Sequence, residues 1–574
     1  MRARDVRCLL VSDFNTSNLA GFLRNEPDAP RLDVVQAPFG QVASVLIDAQ
    51  SAAWLPQPDV AVVWTRPEAV VEHFGAALAY EAVPADRLLE GVDSFCATLT
   101  GARGRAGTVL VPAWVVPPDH RGWGMLDWKN NLGIARAVTQ MNLRLAERLE
   151  QERGFYLLDA QRWMAAAGPR AFSPRLWHMG KLAFGNEVFE AAARDIKAAI
   201  RGLMGLAKKL IVLDLDDVLW GGIVGEIGWQ QVRLGGHDPV GEAFVDFQGV
   251  LRSLKRRGVL LAIASKNDEA VALDAIEHHP EMVLRRDDFT AWRINWRDKA
   301  QNLAELAAEL QIGLDAVVFI DDSAAERSRV REALPDVFVP DWPEDPMLYS
   351  GALSSLTSFD APALSQEDVE RGSMYAAGRA RETALREVGA IDAWLESLEL
   401  SVHVEPLGDA NLPRAAQLLN KTNQMNLRTR RLTDAAFANW AAGPHCGAWT
   451  LRVRDRFGDY GLVGLISAEW QDDVFRIVDF VLSCRVLGRR VENAMVAVAV
   501  ECARALTPAR ELRAEYLPTS RNDACLQFLV GSGLTRHGDT WVWPADSEYA
   551  RPSGVHIVGA ASAAEPRMSK RVAQ

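Results

Sequence analysis

Cysteine is scarce and unpatterned: there are six in 574 residues (Cys8, Cys96, Cys446, Cys484, Cys502 and Cys525), with no CxxC pair among them. That scatter excludes a disulfide scaffold and a cysteine-built zinc site. No apolar run reaches the roughly 18 residues of a membrane span, so a bilayer-embedded protein is excluded. The start of the chain, MRARDVRCLLVSDF, carries an apolar stretch only from Cys8 to Val11. This is too short for a secretory core and predicts a cytoplasmic protein. Positive charge is not in excess: 63 Lys and Arg against 75 Asp and Glu give a net charge of −12. No global field exists to hold a nucleic-acid backbone or an anionic membrane, and neither is expected as a partner.

What is present is ordinary for a folded protein, with hydrophobic residues at 49% and charged ones at 24%. At roughly 150 residues per domain, the length predicts three or four domains. Over residues 1–205, short apolar runs (CLLVSDF, DVAVVW, TVLVPAWVV, FYLLDA) alternate with helical patterns, among them a proline-free helix over 127–152. This reads as an α/β domain with a buried sheet. A second α/β pattern occupies 206–365. KKLIVLDLDD (208–217) is followed by a helix over 241–257, a strand over 259–265, helices over 268–277 and 299–311, and a strand over 316–321. Strands separated by helices predict a doubly wound parallel sheet. A charged helical linker is expected over 366–388. An α+β domain with an antiparallel sheet is expected to 550, from SVHVEPL, WTLRVRDRFGDYGLVGLISAEW, FRIVDFVLS and a helix over 489–506. The tail, 551–574, is expected to be disordered.

The sharpest chemical signal is VLDLDDVLWGG, where a buried strand runs into Asp214, Asp216 and Asp217. Clustered carboxylates after such a strand require a counter-cation. Asp321 and Asp322 follow the strand AVVFI in the same way, so both clusters belong at carboxyl ends of parallel strands, where open α/β sheets bind ligands. Hard oxygen ligands of this kind suit Mg²⁺. Ser265 ends VLLAIAS, where its hydroxyl and the following N–H groups, at Lys266 and Asn267, can grip a phosphoryl oxygen. Lys299 opens a helix after the loop RINWRD, placing an ammonium near the carboxylates. Only 51 positions separate Asp214 from Ser265, which leaves little space for an inserted cap and predicts an open site.

The order Asp-x-Asp, Ser, Lys, Asp-Asp resembles the haloacid dehalogenase superfamily of phosphatases. The resemblance implies that Asp214 is the nucleophile and Asp216 the general acid and base. It also implies that Mg²⁺ is held by Asp214, the backbone carbonyl of Asp216, and Asp321 or Asp322. Longer segments, including VLDLDDVLWGGIVGEIG, LAIASKND, FIDDSAAER, NKTNQMNLRTRRLT, LSCRVLGRRVE and YLPTSRND, resemble the FkbH family of polyketide-pathway proteins over roughly 200–545. That resemblance implies a glyceryl transferase. It would take the glyceryl unit of 1,3-bisphosphoglycerate, remove phosphate, and place the acyl group on the phosphopantetheine thiol of an acyl carrier protein. Asp217-Val218 and Ser323-Ala324 depart from the family's common residues without removing a catalytic group.

Acyl transfer needs a thiol. Cys484 is the candidate, because Arg485, Arg489 and Arg490 lie close in sequence and can favour its thiolate. The alternative is a small residue filling a strand end. The third domain resembles the GNAT acyltransferase fold, with RVLGRR (485–490) standing where that fold binds pyrophosphate on backbone N–H groups. Arg485, Gly488 and Arg489 are therefore candidates for holding the phosphopantetheine arm. Arg428, Arg430 and Arg431 in LRTRR are candidates for steering an acidic carrier, or else form a solvated charged face. In the first domain, SDFN (12–15) and WHMGK (177–181) resemble the Ser and His blocks of SGNH hydrolases; Ser12 is expected to be a turn residue and the domain a scaffold or docking module. Two other functions stay open: a stand-alone phosphatase on another small phosphorylated metabolite, and a non-catalytic carrier-binding module.

Overall fold

The inner strands of the first sheet, Val60–Trp64 and Thr108–Pro112, are buried at every position, so the sheet is covered on both faces. The computed structural model describes residues 5–26, 29–116, 120–362, 395–506, 510–519 and 521–559. Its first compact unit is Met1–Met204 with Arg431–Trp440. Five parallel strands, β1 (Val6–Ser12), β2 (Leu32–Gln36), β3 (Val60–Trp64), β4 (Thr108–Pro112) and β5 (Phe155–Leu158), lie in the order β2-β1-β3-β4-β5. Along β1 the side chains alternate between two cores. Cys8 and Leu10 join Phe189 and Ile196 on one face, while Leu9 and Val11 join Val138 and Leu145 on the other. The helix expected over 127–152 begins only at Ile134. The Asp127 carboxylate accepts from the N–H groups of Trp123 and Ile134, which fixes a turn ahead of the helix.

The second unit is Gly205–Arg430 with Ala441–Gln574. Its first part is a parallel sheet of β6 (Leu210–Leu213), β7 (Leu260–Ser265), β8 (Ala291–Ile294) and β9 (Val317–Ile320), in the order β8-β7-β6-β9. Ile211 and Leu213 enter one core, Leu210 and Val212 the other. The helices Pro239–Arg256, Glu269–His278 and Lys299–Glu309 fall close to their expected places. The segment read as the loop RINWRD begins inside a strand instead, with Arg293 and Ile294 pairing beside β7. Between β6 and the helix Pro239–Arg256 lie only the short helices Val224–Ile227 and Trp229–Gln231. No cap domain is inserted there, as the spacing predicts. The chain leaves β6 for β7 and β8 on one side and returns to β9 on the other, so the switch point falls between β6 and β9.

The remaining part of this unit is α+β. Its strands are β10 (Leu400–Pro406), β11 (Met425–Asn426), β12 (Cys446–Asp455), β13 (Gly458–Gln471), β14 (Val474–Leu482), β15 (Glu511–Glu515), β16 (Thr535–His537), β17 (Thr540–Pro544) and β18 (Val555–Val558). The order is β16-β17-β15-β14-β13-β12-β10-β18, with β11 against β14. The sheet is mixed rather than purely antiparallel. β14 and β15 run parallel, joined through the helix Val491–Leu506, and β18 runs parallel to β10. The expectation of a disordered tail from 551 is therefore corrected: Val555–Val558 is a strand, because its backbone groups find an open edge on β10. The linker helix expected over 366–388 lies outside the described residues, as do 560–574. The third span is also interrupted, since 431–440 group with the first unit, where Thr433 Oγ1 donates to the Gly107 carbonyl at 2.9 Å. No described helix is long and apolar enough to cross a membrane.

Candidate active site

Register brings the two acidic clusters together. Leu213 of β6 stands beside Ile320 of β9, so the residues that follow, Asp214 and Asp321, leave neighbouring strands at the switch point. The Asp214 N–H donates to the Ile320 carbonyl at 3.0 Å. Lys299 opens its helix behind Asp298, whose carboxylate caps it by accepting from Gln301 N–H. From there the Lys299 ammonium donates to Asp214 and to Asp321, both at 2.6 Å. Lys299 is only 3% exposed and Asp321 fully buried. Burial alone would push the lysine's pKa down, but the two carboxylates outweigh it and the net shift is upward. Burial and the charge of Asp214 push Asp321 up to about 6, against the pull of Lys299.

Carboxylate oxygens of Asp214, Asp321 and Asp322 lie within 4.8 Å of one another. Three acids against one ammonium leave a local excess of negative charge. Burial, then Asp214 and Asp217, raise the pKa of Asp322 as well. An all-oxygen donor set with surplus negative charge fits a hard divalent cation such as Mg²⁺.

Asp216 is placed differently. Its carboxylate accepts from the Trp220 indole N–H at 2.9 Å, the Val224 N–H at 3.1 Å and the Asn267 amide at 2.7 Å. Burial is the largest influence on it and raises its pKa, Asp214 adds to the rise, and the three donors oppose it without reversing it. A carboxyl group held toward its protonated form beside a nucleophile candidate suits proton donation. The carboxylate of Asp216 is not among those that gather at Asp214, Asp321 and Asp322.

Ser265 is buried at the end of β7, as expected. The side chain of Lys266 pairs with Glu326 at 2.6 Å, and that of Asn267 donates to Asp216. Trp220 was not singled out by sequence reasoning. Its signal was its place four residues after Asp216, at helical spacing, in DDVLWGG. Tyr349, missed too, donates to the Asp217 carbonyl at 3.2 Å from 132 residues away, which local pattern does not reveal.

The thiol candidate lies elsewhere in this unit. Cys484 is partly exposed and lines a cavity of about 440 Å³ together with Arg485. By contrast Cys8, Cys96, Cys502 and Cys525 are buried, and burial pushes their thiols well up, Cys96 to about 11 and Cys525 to about 12. Of the arginines near Cys484 in sequence, Arg489 turns to the Tyr460 hydroxyl and Arg490 to Ser553. The Gly488 N–H, expected to meet phosphate, donates to the buried Glu492 carboxylate at 2.6 Å. Arg428 pairs with Glu515, and Arg430 with the fully buried Asp479. Arg431 falls in the first unit. Arg428 and Arg430 are thus held in ion pairs by carboxylates of the same domain.

In the first unit the SDFN and WHMGK segments do meet: Asn15 donates its N–H to the Lys181 carbonyl and its amide to that of Gly180. Ser12, however, is buried with its hydroxyl accepting from Phe14 N–H, and His178 is exposed. Asp13 is engaged by Arg66 at 2.8 Å. Ser12 is not the turn residue it was expected to be: it is the last residue of β1, and its hydroxyl shapes the bend that follows at Asp13 and Phe14.

No family model matches the chain, and no curated protein matches it either. Among solved structures, the chain is similar to the N-terminal part of a Bacteroides fragilis protein that contains a phosphatase domain and was crystallised with Mg. The identity is 27% and the TM-score 0.57, over 62% of this chain and 95% of that one. A domain from Methanocaldococcus jannaschii and a ribosomal-protein alanine N-acetyltransferase from Escherichia coli each match 25% of this chain and 95% of their own. Both are 10% identical, with TM-scores of 0.21 and 0.20.

Proposed function

We propose that this protein is a Mg²⁺-dependent phosphatase coupled to acyl transfer, converting 1,3-bisphosphoglycerate to a glyceryl thioester on an acyl carrier protein. The observation that carries the phosphatase half is the Asp214–Lys299–Asp321 cluster at the switch point of a capless parallel sheet. The similar solved structure, which contains a phosphatase domain and was crystallised with Mg, supports it.

Asp214 attacks phosphorus in line and the phosphoryl group passes to its carboxylate, while Asp216 gives a proton to the leaving alkoxide. Asp216 then takes a proton from the water that cleaves the aspartyl phosphate. Lys299 holds Asp214 in place, and Ser265 with the N–H groups after it receives the phosphoryl oxygens. Asp214, Asp321 and Asp322 would hold the metal, which supplies positive charge against the phosphate. Ile223 and Trp296, 46% and 76% exposed on the loops beside Val224 and Lys299, together with the lack of an inserted cap, support a phosphate ester presented on a larger molecule.

For the transfer half, Cys484 accepts the acyl group from its phosphate and passes it to the phosphopantetheine thiol, with Arg485 beside it. Arg489, Gly488, Arg428, Arg430 and Arg431 remain with the carrier and its arm in this proposal. Incubation with Mg²⁺, 1,3-bisphosphoglycerate and holo carrier protein is expected to add a glyceryl group to the carrier, read by intact mass. Asp214→Asn is expected to abolish phosphate release, and retained release would overturn the nucleophile assignment. Cys484→Ala is expected to lose the thioester and keep phosphate release.

A second reading, a stand-alone phosphatase on another small phosphorylated metabolite, is favoured by one observation: the Gly488 N–H is already taken by Glu492. Thioester formation unaffected by Cys484→Ala, or none with the native chain, would select it.

A further inference from the structure

The first unit holds a cavity at the place where a sheet of its kind receives a ligand. The chain passes from β1 to β2 on one side and to β3 on the other, so this sheet has its switch point between β1 and β3. Asp13 follows β1 and Arg66 follows β3, and they meet across that point: the Arg66 N–H and its Nε both donate to the Asp13 carboxylate at 2.8 Å. Beside them, at the carboxyl ends of β3 and β4, lies a cavity of about 230 Å³. That is the space of about eight liquid waters.

Its walls are aromatic. Trp114, Phe172, Trp177 and Phe184 line it, together with Leu78 and Val115. The Asn142 amide holds both the N–H and the carbonyl of Trp114, and the Trp114 indole donates to the Thr65 hydroxyl at 3.2 Å. This ring is therefore set before a ligand arrives, which lowers the ordering cost of binding. Among the described residues the lining has no serine or cysteine, so the cavity offers binding rather than covalent turnover.

Charge in and around the lining cancels. Arg66 pairs with Glu68 at 2.9 Å, while Asp13 behind Arg66 is matched by Lys181, whose ammonium lies over the Trp177 ring at 4.9 Å. The His120 ring accepts from the Gly122 N–H at Nδ1, which places its proton on Nε2, against the Leu78 carbonyl. An ionised ligand would give up its hydration here without meeting a net opposite charge, so an uncharged one is favoured. One directional group is left over. The Arg66 guanidinium lies over Trp177 at 3.9 Å with Nε on Asp13 and Nη1 on Glu68, and its Nη2 has no acceptor among the described residues. Guanidinium nitrogens only donate, so the ligand must supply the acceptor.

We propose that this cavity binds a small uncharged molecule with a planar apolar ring and a carbonyl oxygen, the ring against the aromatic walls and the oxygen on Arg66 Nη2. The first domain then has a ligand of its own, different in class from any phosphate. The proposal rests on neither Cys484 nor the metal centre.

Saturation-transfer NMR on the full-length protein in EDTA, with benzamide as the probe, tests it. Benzamide is expected to bind with a dissociation constant of about 1 mM or tighter, as a ligand of that size does in a pocket it fits. Benzoate and benzylamine, which carry the same ring with a negative or a positive charge, should bind about tenfold more weakly or worse. Ala113→Leu, at a half-buried lining position, fills the cavity and should abolish binding. Arg66→Lys keeps a charge against Asp13 and Glu68 but loses the Nη2 donor, and should weaken benzamide about tenfold, as loss of one charge-assisted contact does. Circular dichroism checks that both variants are folded, and the charge series on the native chain decides the question where one is not. No benzamide signal up to about 10 mM on the native chain would overturn the proposal, and so would unchanged binding in Ala113→Leu. Benzoate or benzylamine binding as tightly as benzamide would overturn the uncharged class, and full affinity in Arg66→Lys would overturn the role of the guanidinium.

Discussion

Replacing Lys299 by Met removes the ammonium that holds Asp214 and Asp321 at 2.6 Å each and leaves the side-chain volume nearly intact. Lys299 is 3% exposed and Asp321 fully buried, so solvent cannot substitute for the lost charge. Breaking such a pair from one side costs about 3–5 kcal/mol. The pH at which to look follows from the shifts. Lys299 has its folded pKa raised above the unfolded value, so its stabilising contribution is complete at neutral pH and is lost only in strong alkali. Asp321 also has its folded pKa raised, to about 6 against an unfolded value of about 3.9. The folded state therefore takes up this proton first as pH falls. Its contribution is lost as pH rises from about 4 through about 6, and Lys299→Met pushes that window upward.

The whole chain will not unfold in one step, so the measurement is hydrogen exchange by mass spectrometry on segments 210–214 and 317–322. At pH 7 in EDTA, Lys299→Met is expected to speed exchange there by roughly 100- to 4,000-fold, at 1.4 kcal/mol per decade. The effect should shrink at pH 5, where the carboxylates take up protons. It should shrink again with Mg²⁺ at pH 7, where a cation replaces the ammonium's charge. Exchange in these segments equal to that of the native chain at pH 7 in EDTA would refute the argument that the ammonium offsets the buried carboxylates.

Asn267→Ala removes a donor that favours ionised Asp216, so the basic limb of the phosphatase pH–rate profile should move to higher pH. An unmoved limb would mean that Asp216 is not the acid. Arg430→Met strands the buried Asp479 carboxylate. A loss of about 3 kcal/mol is expected, low in the range for a broken buried pair because Arg430 is 25% exposed. Hydrogen exchange in 474–482 reads it, and Asp479→Asn in the same chain should recover most of the loss.

The parallel cores were legible because period and strand length coincide. LIVL before Asp214 and VVFI before Asp321 have nothing but apolar side chains, which only a sheet covered on both faces accommodates. β8 was missed because Arg293 breaks the run in a strand of only four residues, though its backbone completes the edge beside β7. The catalytic set was legible for a related reason: charges that directly follow a buried strand have few places to go. The arginines were not. Arg430 in LRTRR looks like surface charge until β14 places Asp479 against it, 49 residues later, and no local pattern carries that pairing.

The net charge of −12 reads differently once the sheet is in place. The carboxyl ends of β6 and β9 gather the carboxylates of Asp214, Asp321 and Asp322, and residues ahead of the same two strands line the cavity beside Cys484. Both places are set by two four-residue strands, so their separation is fixed by strand rise rather than by side-chain flexibility. Coupling between them must then come from something that travels. A substrate attached to a long flexible arm can visit both ends of a rigid sheet, because tethering raises its local concentration at each without a bridging contact. A free three-carbon phosphate would instead have to dissociate between steps. On the proposed reading, coupling between hydrolysis and transfer thus depends on the carrier, and phosphate release without carrier should proceed uncoupled from thioester formation. Phosphate-ester hydrolysis that required an intact Cys484 in the absence of carrier would contradict that separation.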